Sequence, residues 1–354
     1  MDRKFQLNNF DLLRLFAAVE VLLLHSFPRL QLPFPAFFKI MSNFPGVSMF
    51  FVMSGFLISA SLERNSNLKN YFKNRALRIF PALWACIILT VIIIALSTQI
   101  SFINKDALPW FFSQCIGIIY TPAFLKDFGF GSYNGSLWTI PLELQFYLVL
   151  PVLYFVVNKL SKNETYRTII IGFIFLIFCI LTYLIKIYLT KGEFEVETTL
   201  QKSLRYTFIP NIYLFLFGVI LQRLKVYKSN LIYGKGLIWL IGYIIINYLI
   251  PTSAETYILK LLALGVTTIS LAYTAPLTAN KILKGNDISY GVYIYHGLVL
   301  GFFVELELFK NSIHILSILL ITVVLAILSW QFVEKPFMRR KKKTIHEVTK
   351  VDVI

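Results

Sequence analysis

The chain has 354 residues, 57% of them hydrophobic and 15% charged, with a mean hydropathy of +0.70. A water-soluble domain of this length needs a polar surface, whereas here the polar residues fall in short clusters between long apolar runs, so the composition indicates a polytopic helical membrane protein. The net charge of +16 does not point to nucleic acid, because the basic residues sit at the ends of the apolar runs and not in one aromatic-interleaved domain.

The first run, FDLLRLFAAVEVLLLHSF at 10–27, follows a basic MDRK as a secretory signal would. It is interrupted by Arg14 and Glu20 and lacks a small-residue cleavage site, so it reads as a retained first span. Further apolar runs lie near 44–60, 80–98, 136–157, 168–189, 206–222, 236–250, 257–275, 288–304 and 313–333. The expected fold is therefore an all-α integral membrane protein, a bundle of about ten transmembrane helices. With the N-terminus inside, 23 of the 34 Lys and Arg fall on the cytoplasmic side and 10 on the other, which predicts both termini in the cytoplasm.

The segment ALPWFFSQCIGIIYTPAFL at 107–125 is long enough to span but is broken by Pro109, Gln114 and Pro122. Counting it as a span would carry RRKKK at 339–343 to the outside, so it is expected to be interfacial or re-entrant on the outer face. No soluble domain, linker or repeat stands out: residues 1–337 read as one transmembrane domain and 338–354 as a basic cytoplasmic tail. Cys86, Cys115 and Cys179 have neither disulfide nor metal spacing, and no metal is predicted.

Arg14 and His25 are eleven positions apart, which on a helix brings them within about 20° of one face and separates them by roughly 16 Å along it. Pro28 biases Phe27 away from helix, placing His25 within about a turn of the outer end and Arg14 toward the cytoplasm. Each also has a plain explanation: an inner-end Arg can snorkel, and an outer-end His can be an interfacial side chain. Glu20 is about 240° around from Arg14 and points elsewhere, its role left open.

The first span, with Arg14, ten residues and His25, resembles that of the membrane-bound acyltransferase 3 family. GVSMFFVMSGFLIS at 46–59, YFKNRALRIFP at 71–81, SLWTIPLELQFYLVLP at 136–151, ISYGVYIYHGLVL at 288–300 and FVEKPF at 332–337 are similar to further family segments in the family's order. The resemblance implies transfer of an acyl group, commonly acetyl, from cytoplasmic acyl-CoA to a hydroxyl of an exported or surface glycan or lipid. Acyl-CoA is then the donor substrate, a glycan or lipid-linked saccharide the acceptor, and a bacterial inner membrane the expected location.

Carried onto this chain, the resemblance assigns Arg75 and Arg78 to CoA, whose phosphates suit arginine's planar fork, although a topology signal binding lipid headgroups would look the same. In the fourth span Pro141 fits a first helical turn with Thr139 as N-cap, which sets Glu143 about one turn below the outer surface. Glu143 is expected to pair with His25 or with the incoming hydroxyl, or else with a structural Arg or Tyr. His25 would act as general base or as an acylated nucleophile, and Arg14 would meet the thioester end of CoA.

Tyr290, Tyr293 and His296 are expected to line the path by which CoA enters, or to form an aromatic belt. Ser54 and Gly55 are small enough for close helix packing or for a pantetheine arm, packing being the ordinary use. Glu193, Glu195 and Glu197, with Lys191, Lys202 and Arg205, fall in an outer loop that could touch the acceptor or simply be solvated, and His314 and His346 have no such context. The rival reading is a transporter or flippase, which also uses buried ionisable groups.

Overall fold

The computed structural model of the protein describes residues 3–191, 204 and 207–338. Glu193, Glu195, Glu197, Lys202, Arg205 and His346, and the basic tail beyond Met338, lie outside the described residues. Each of the ten apolar runs folds as a helix: α1 Phe10–Arg29, α2 Gly46–Arg64, α3 Leu68–Ser97, α4 Thr139–Leu160, α5 Glu164–Lys191, α6 Ile212–Arg223, α7 Gly236–Leu249, α8 Ala254–Ala272, α9 Ser289–Glu305 and α10 Ile313–Ser329. The described residues contain no strand.

Six helical stretches, containing α2, α3, α4, α5, α8 and α10, are long and apolar enough to cross a membrane. Helix α1 has 20 residues but carries Asp11, Arg14, Glu20 and Arg29. Helices α6, α7 and α9 have 12, 14 and 17 residues. At about 1.5 Å per residue these three reach roughly 18 to 26 Å, less than the ~30 Å hydrocarbon core. The span at Glu164–Tyr188 is only 11% buried, against 61% for Ala36–Arg64, and it turns Phe173, Leu176, Ile177, Ile180 and Leu184 outward as a lipid-facing helix does.

The broken segment is a nine-residue helix, Ala107–Cys115, followed by irregular backbone and a 3-10 turn at Ala123–Leu125. Such a helix rises only about 14 Å and cannot cross a bilayer. Its irregular stretch is satisfied by side chains: Gln114 Nε2 donates to Ile118 O at 3.0 Å, and Trp110 Nε1 to Tyr120 O at 3.2 Å. Within the helices, hydroxyls fold back on the carbonyl one turn earlier, as Ser26 does on Leu22 and Thr90 on Cys86, both at 2.8 Å.

Two details of the helix ends differ from expectation. Helix α1 continues through Pro28 to Arg29: the ring removes the N–H that would have met Leu24 O, and the Arg29 guanidinium donates to the neighbouring His25 O at 3.2 Å. Thr139 does not cap α4 but begins it, because Asn134 caps the preceding 3-10 turn Gly135–Trp138 and the Thr139 hydroxyl donates to Tyr293 instead.

The chain forms two compact units, one from the described parts of residues 1–17, 40–67 and 141–285, the other from the described parts of 18–39, 68–140 and 286–354. In the first, α2 and α6 pack backbone to backbone. A Cβ on Gly55 would stand 1.9 Å from Phe215 O, and one on Gly218 would stand 2.1 Å from Val52 O, so these two glycines set the approach. Gly55 thus serves packing. At the end of the pair Arg223 bridges Glu63 at 2.6 Å and Glu164 at 2.5 Å, joining three segments that the Lys and Arg distribution assigns to one side.

In the second unit α9 is the central helix, with 13 of its 17 residues buried. Gly291 lies against Ala326 of α10, and Asn134 Nδ2 donates to Ile294 O at 2.8 Å. At the opposite end, Lys310 N donates to Leu30 O at 2.9 Å and Gly129 N to Glu305 Oε2 at 2.8 Å, joining segments expected on the outer face.

Candidate active site

His296 is the eighth residue of α9 and is fully buried. Its Nε2 lies 3.1 Å from Nδ1 of His25, the ring centroids 5.3 Å apart. His296 Nδ1 faces Val292 O, one turn earlier, at 3.3 Å. Tyr293 presents its ring edge-on to His296 at 5.7 Å and accepts the Thr139 hydroxyl at 2.9 Å. Gly297 is required here, since a Cβ would fall 2.2 Å from Asn134 Oδ1 and 2.8 Å from Ser136 Oγ.

His25 is half-buried, and among the described residues its Nε2 has no hydrogen-bond partner. Arg29, next to it, lies over the Phe130 ring at 4.2 Å. An imidazole held through one nitrogen, with the other open to a substrate, is the arrangement needed to take and return a proton.

The sequence assigns His25 and His296 to separate tasks, whereas the structure sets their rings against each other. The spacing of Tyr293 and His296, three apart on one face, holds. Tyr293, however, is buried and bonded to Thr139. Tyr290 is half-buried, donates to Ile79 O at 3.1 Å and lies 5.9 Å from the Arg78 guanidinium.

Arg78 meets Asp287 Oδ2 at 2.6 Å and has Glu334 Oε2 at 3.9 Å, both carboxylates being buried. Asp287 also accepts from the Ser289 hydroxyl at 2.5 Å. The sequence analysis assigns no role to Asp287 or Glu334, yet one directly precedes ISYGVYIYHGLVL and the other lies inside FVEKPF. Arg75, three residues before Arg78, is half-buried.

Arg14 and Glu143 belong to the first unit. Arg14 is ion-paired with Asp11, one turn earlier, and Glu143 accepts a hydrogen bond from Tyr147, one turn later. Glu20 is 1% exposed, so α1 does bury an ionisable side chain. Among the described residues no group of three or more His, Cys, Asp or Glu could hold a metal ion.

Described residues without a strand, with six helical stretches long and apolar enough to cross a membrane, define an integral membrane protein, and two of its imidazoles meet in the fold. It belongs to the acyltransferase 3 family, whose model, described as an acyltransferase domain, matches residues 7–331. Among its relatives, Nodulation protein 10 of Rhizobium leguminosarum bv. viciae is 28% identical over 364 residues, covering 96% of this chain and 95% of that one. The O-acetyl transferase of Shigella phage Sf6 is 29% identical, covering 94% and 96%. The O-acetyltransferase OatA of Staphylococcus aureus is 23% identical, and the alignment covers 93% of this chain and 57% of OatA. No solved structure matches the chain. The protein is a membrane acyltransferase.

Proposed function

We propose that the protein is an O-acyltransferase that moves an acyl group, acetyl in the simplest case, from cytoplasmic acyl-CoA to a hydroxyl of an extracytoplasmic glycan or lipid-linked saccharide. The observation that carries this reading is the half-buried His25, whose Nε2 is without a hydrogen-bond partner among the described residues. In that role Nε2 takes the proton of the acceptor hydroxyl as its oxygen attacks the thioester carbonyl. The carbon–sulfur bond then breaks, and the leaving CoA thiolate recovers the proton, giving ester and free CoA. A two-step route through an acyl-imidazole uses the same nitrogen.

Arg75 is assigned to the CoA phosphates, with Arg78 holding the adjoining structure through its carboxylates. Arg14 is assigned to the thioester carbonyl and Glu143 to the acceptor hydroxyl, and Tyr290 to the donor path beside Arg78. The Lys and Arg distribution supports ten membrane helices with both termini in the cytoplasm, with residues 1–337 as the catalytic domain. Two relatives named as O-acetyl transferases, and the bacterial or phage source of the relatives named above, support acetyl transfer in a bacterial inner membrane.

The test compares the glycans of cells with and without the gene for a mass difference of one acyl group, with His25→Ala at equal abundance as control. Loss of the mass in both the deletion and the variant is expected. Unchanged glycans across all three strains, with no labelling of residues 71–81 by a photoreactive acyl-CoA, would overturn the reading in favour of transport.

A further inference from the structure

We propose that His296 is a positioning residue that fixes which nitrogen of His25 carries the proton. This inference rests on the reading of His25 as the proton acceptor. Its argument is a chain of donors and acceptors that has one consistent solution. The Val292 carbonyl can only accept, and it lies 3.3 Å from His296 Nδ1. If His296 carried its proton on Nε2, two lone pairs would face each other at that distance around a side chain with 0% exposure, where water is not at hand to separate them.

His296 therefore holds its proton on Nδ1, and its Nε2 is an acceptor. The 3.1 Å contact then requires His25 Nδ1 to be the donor. With its proton on Nδ1, neutral His25 has a bare Nε2, the nitrogen without a hydrogen-bond partner among the described residues. A free histidine prefers the opposite tautomer, with the proton on Nε2, so an unsupported His25 would spend most of its time presenting a proton where a lone pair is needed. The buried ring removes that option before substrate arrives.

The surroundings hold His296 in place. Tyr293, tied to Thr139, flanks the ring, and Gly297 lets the Asn134 turn close on α9 directly after it. A residue merely filling space here would need neither a ring nitrogen toward Val292 nor one toward His25.

The chain has four histidines, so protein labelled with nitrogen-15 only in histidine and reconstituted in lipid gives a readable spectrum. Two rings protonated on Nδ1 are expected, and the His25→Ala and His296→Gln variants assign them. His296→Gln keeps an acceptor oxygen toward His25 and should leave turnover within a few-fold of the parent. His296→Leu removes the acceptor and should lower kcat about tenfold to a hundredfold with the KM for acyl-CoA unchanged. A wild-type His25 protonated on Nε2, or a Gln variant as slow as the Leu variant, overturns the proposal whether or not the Leu variant folds. The two claims fail separately: full activity in His25→Ala refutes the catalytic reading and leaves the tautomer measurement standing.

Discussion

Arg78 and Asp287 are 209 positions apart in the chain and 2.6 Å apart in the fold. Their side chains are 21% and 8% exposed, and Glu334, at 2%, stands on the other side of the guanidinium. Removing one member of such a group leaves the others charged in poor solvent, which costs about 3–5 kcal/mol for buried pairs. Arg78→Ala should therefore lower the melting temperature in detergent and the folded yield, and adding Asp287→Asn should recover part of the loss. Unchanged melting of the single variant would show that the guanidinium is not holding these segments.

Arg75→Ala should behave differently from its neighbour. Assigned to phosphate, it should fold normally and raise the KM for acyl-CoA about tenfold, equivalent to roughly 1.4 kcal/mol, with little change in kcat. Steady-state kinetics on proteoliposomes separates this from a stability effect.

His25→Ala should lose about 10²- to 10⁴-fold in kcat, the usual contribution of a positioned base, at undiminished abundance. Incubating the wild type with labelled acyl-CoA and no acceptor distinguishes the two chemical routes. Label retained on a His25-containing peptide indicates the acyl-imidazole, and its absence under turnover conditions indicates direct transfer.

Gly55 and Gly218 face carbonyl oxygens of the opposite helix, at 1.9 and 2.1 Å from an added Cβ, and a backbone cannot step aside as a flexible side chain can. Gly55→Val or Gly218→Val should separate α2 from α6 and lower stability by at least about 1–3 kcal/mol, the range for overpacking. Protease resistance in membranes is the readout, with Gly242→Ala of α7, where an added Cβ would meet nothing within 4 Å among the described residues, as a silent control.

Glu143→Gln keeps the size and an acceptor for Tyr147 but removes the charge. If Glu143 engages the acceptor hydroxyl, turnover should fall at least tenfold with melting unchanged, within the range for positioned acid–base groups. Arg14→Lys, which keeps charge and loses the fork, should likewise slow transfer. Full activity in either variant removes that residue from the mechanism.

The ten helices were legible because an apolar run removed from water has to satisfy its backbone internally, so hydropathy alone reports them. Their lengths were less so: α6 and α7 are mostly apolar yet only 12 and 14 residues long, and an apolar run does not by itself say how many of its residues are helical. Pro28 shows why local rules misplace an end, since the α1 helix runs on past it with a guanidinium donating nearby.

The site was half legible. His25 stands out because an ionisable group in an apolar helix has few idle uses, whereas Arg14, equally conspicuous in the sequence, is ion-paired with Asp11. The meeting of His25 with His296, 271 positions later, was hidden because hydropathy gives depth in a membrane and not neighbours. Asp287 escaped for the related reason that a loop carboxylate beside lysines reads as solvated until its arginine is placed. Thr139 was read as a cap because its hydroxyl's other suitor, Tyr293, is 154 residues away.

The bridge between Glu63 and Arg223 has a consequence for biogenesis. The acid is synthesised 160 residues before its countercharge, an interval of about 8–30 s at ordinary ribosome speeds. Through that interval the nascent chain holds a carboxylate at the end of α2 without its cation, and α2 lacks the helix against which its glycine fits. Chains arrested before Arg223 thus display the acid without its cation and an open helical groove together.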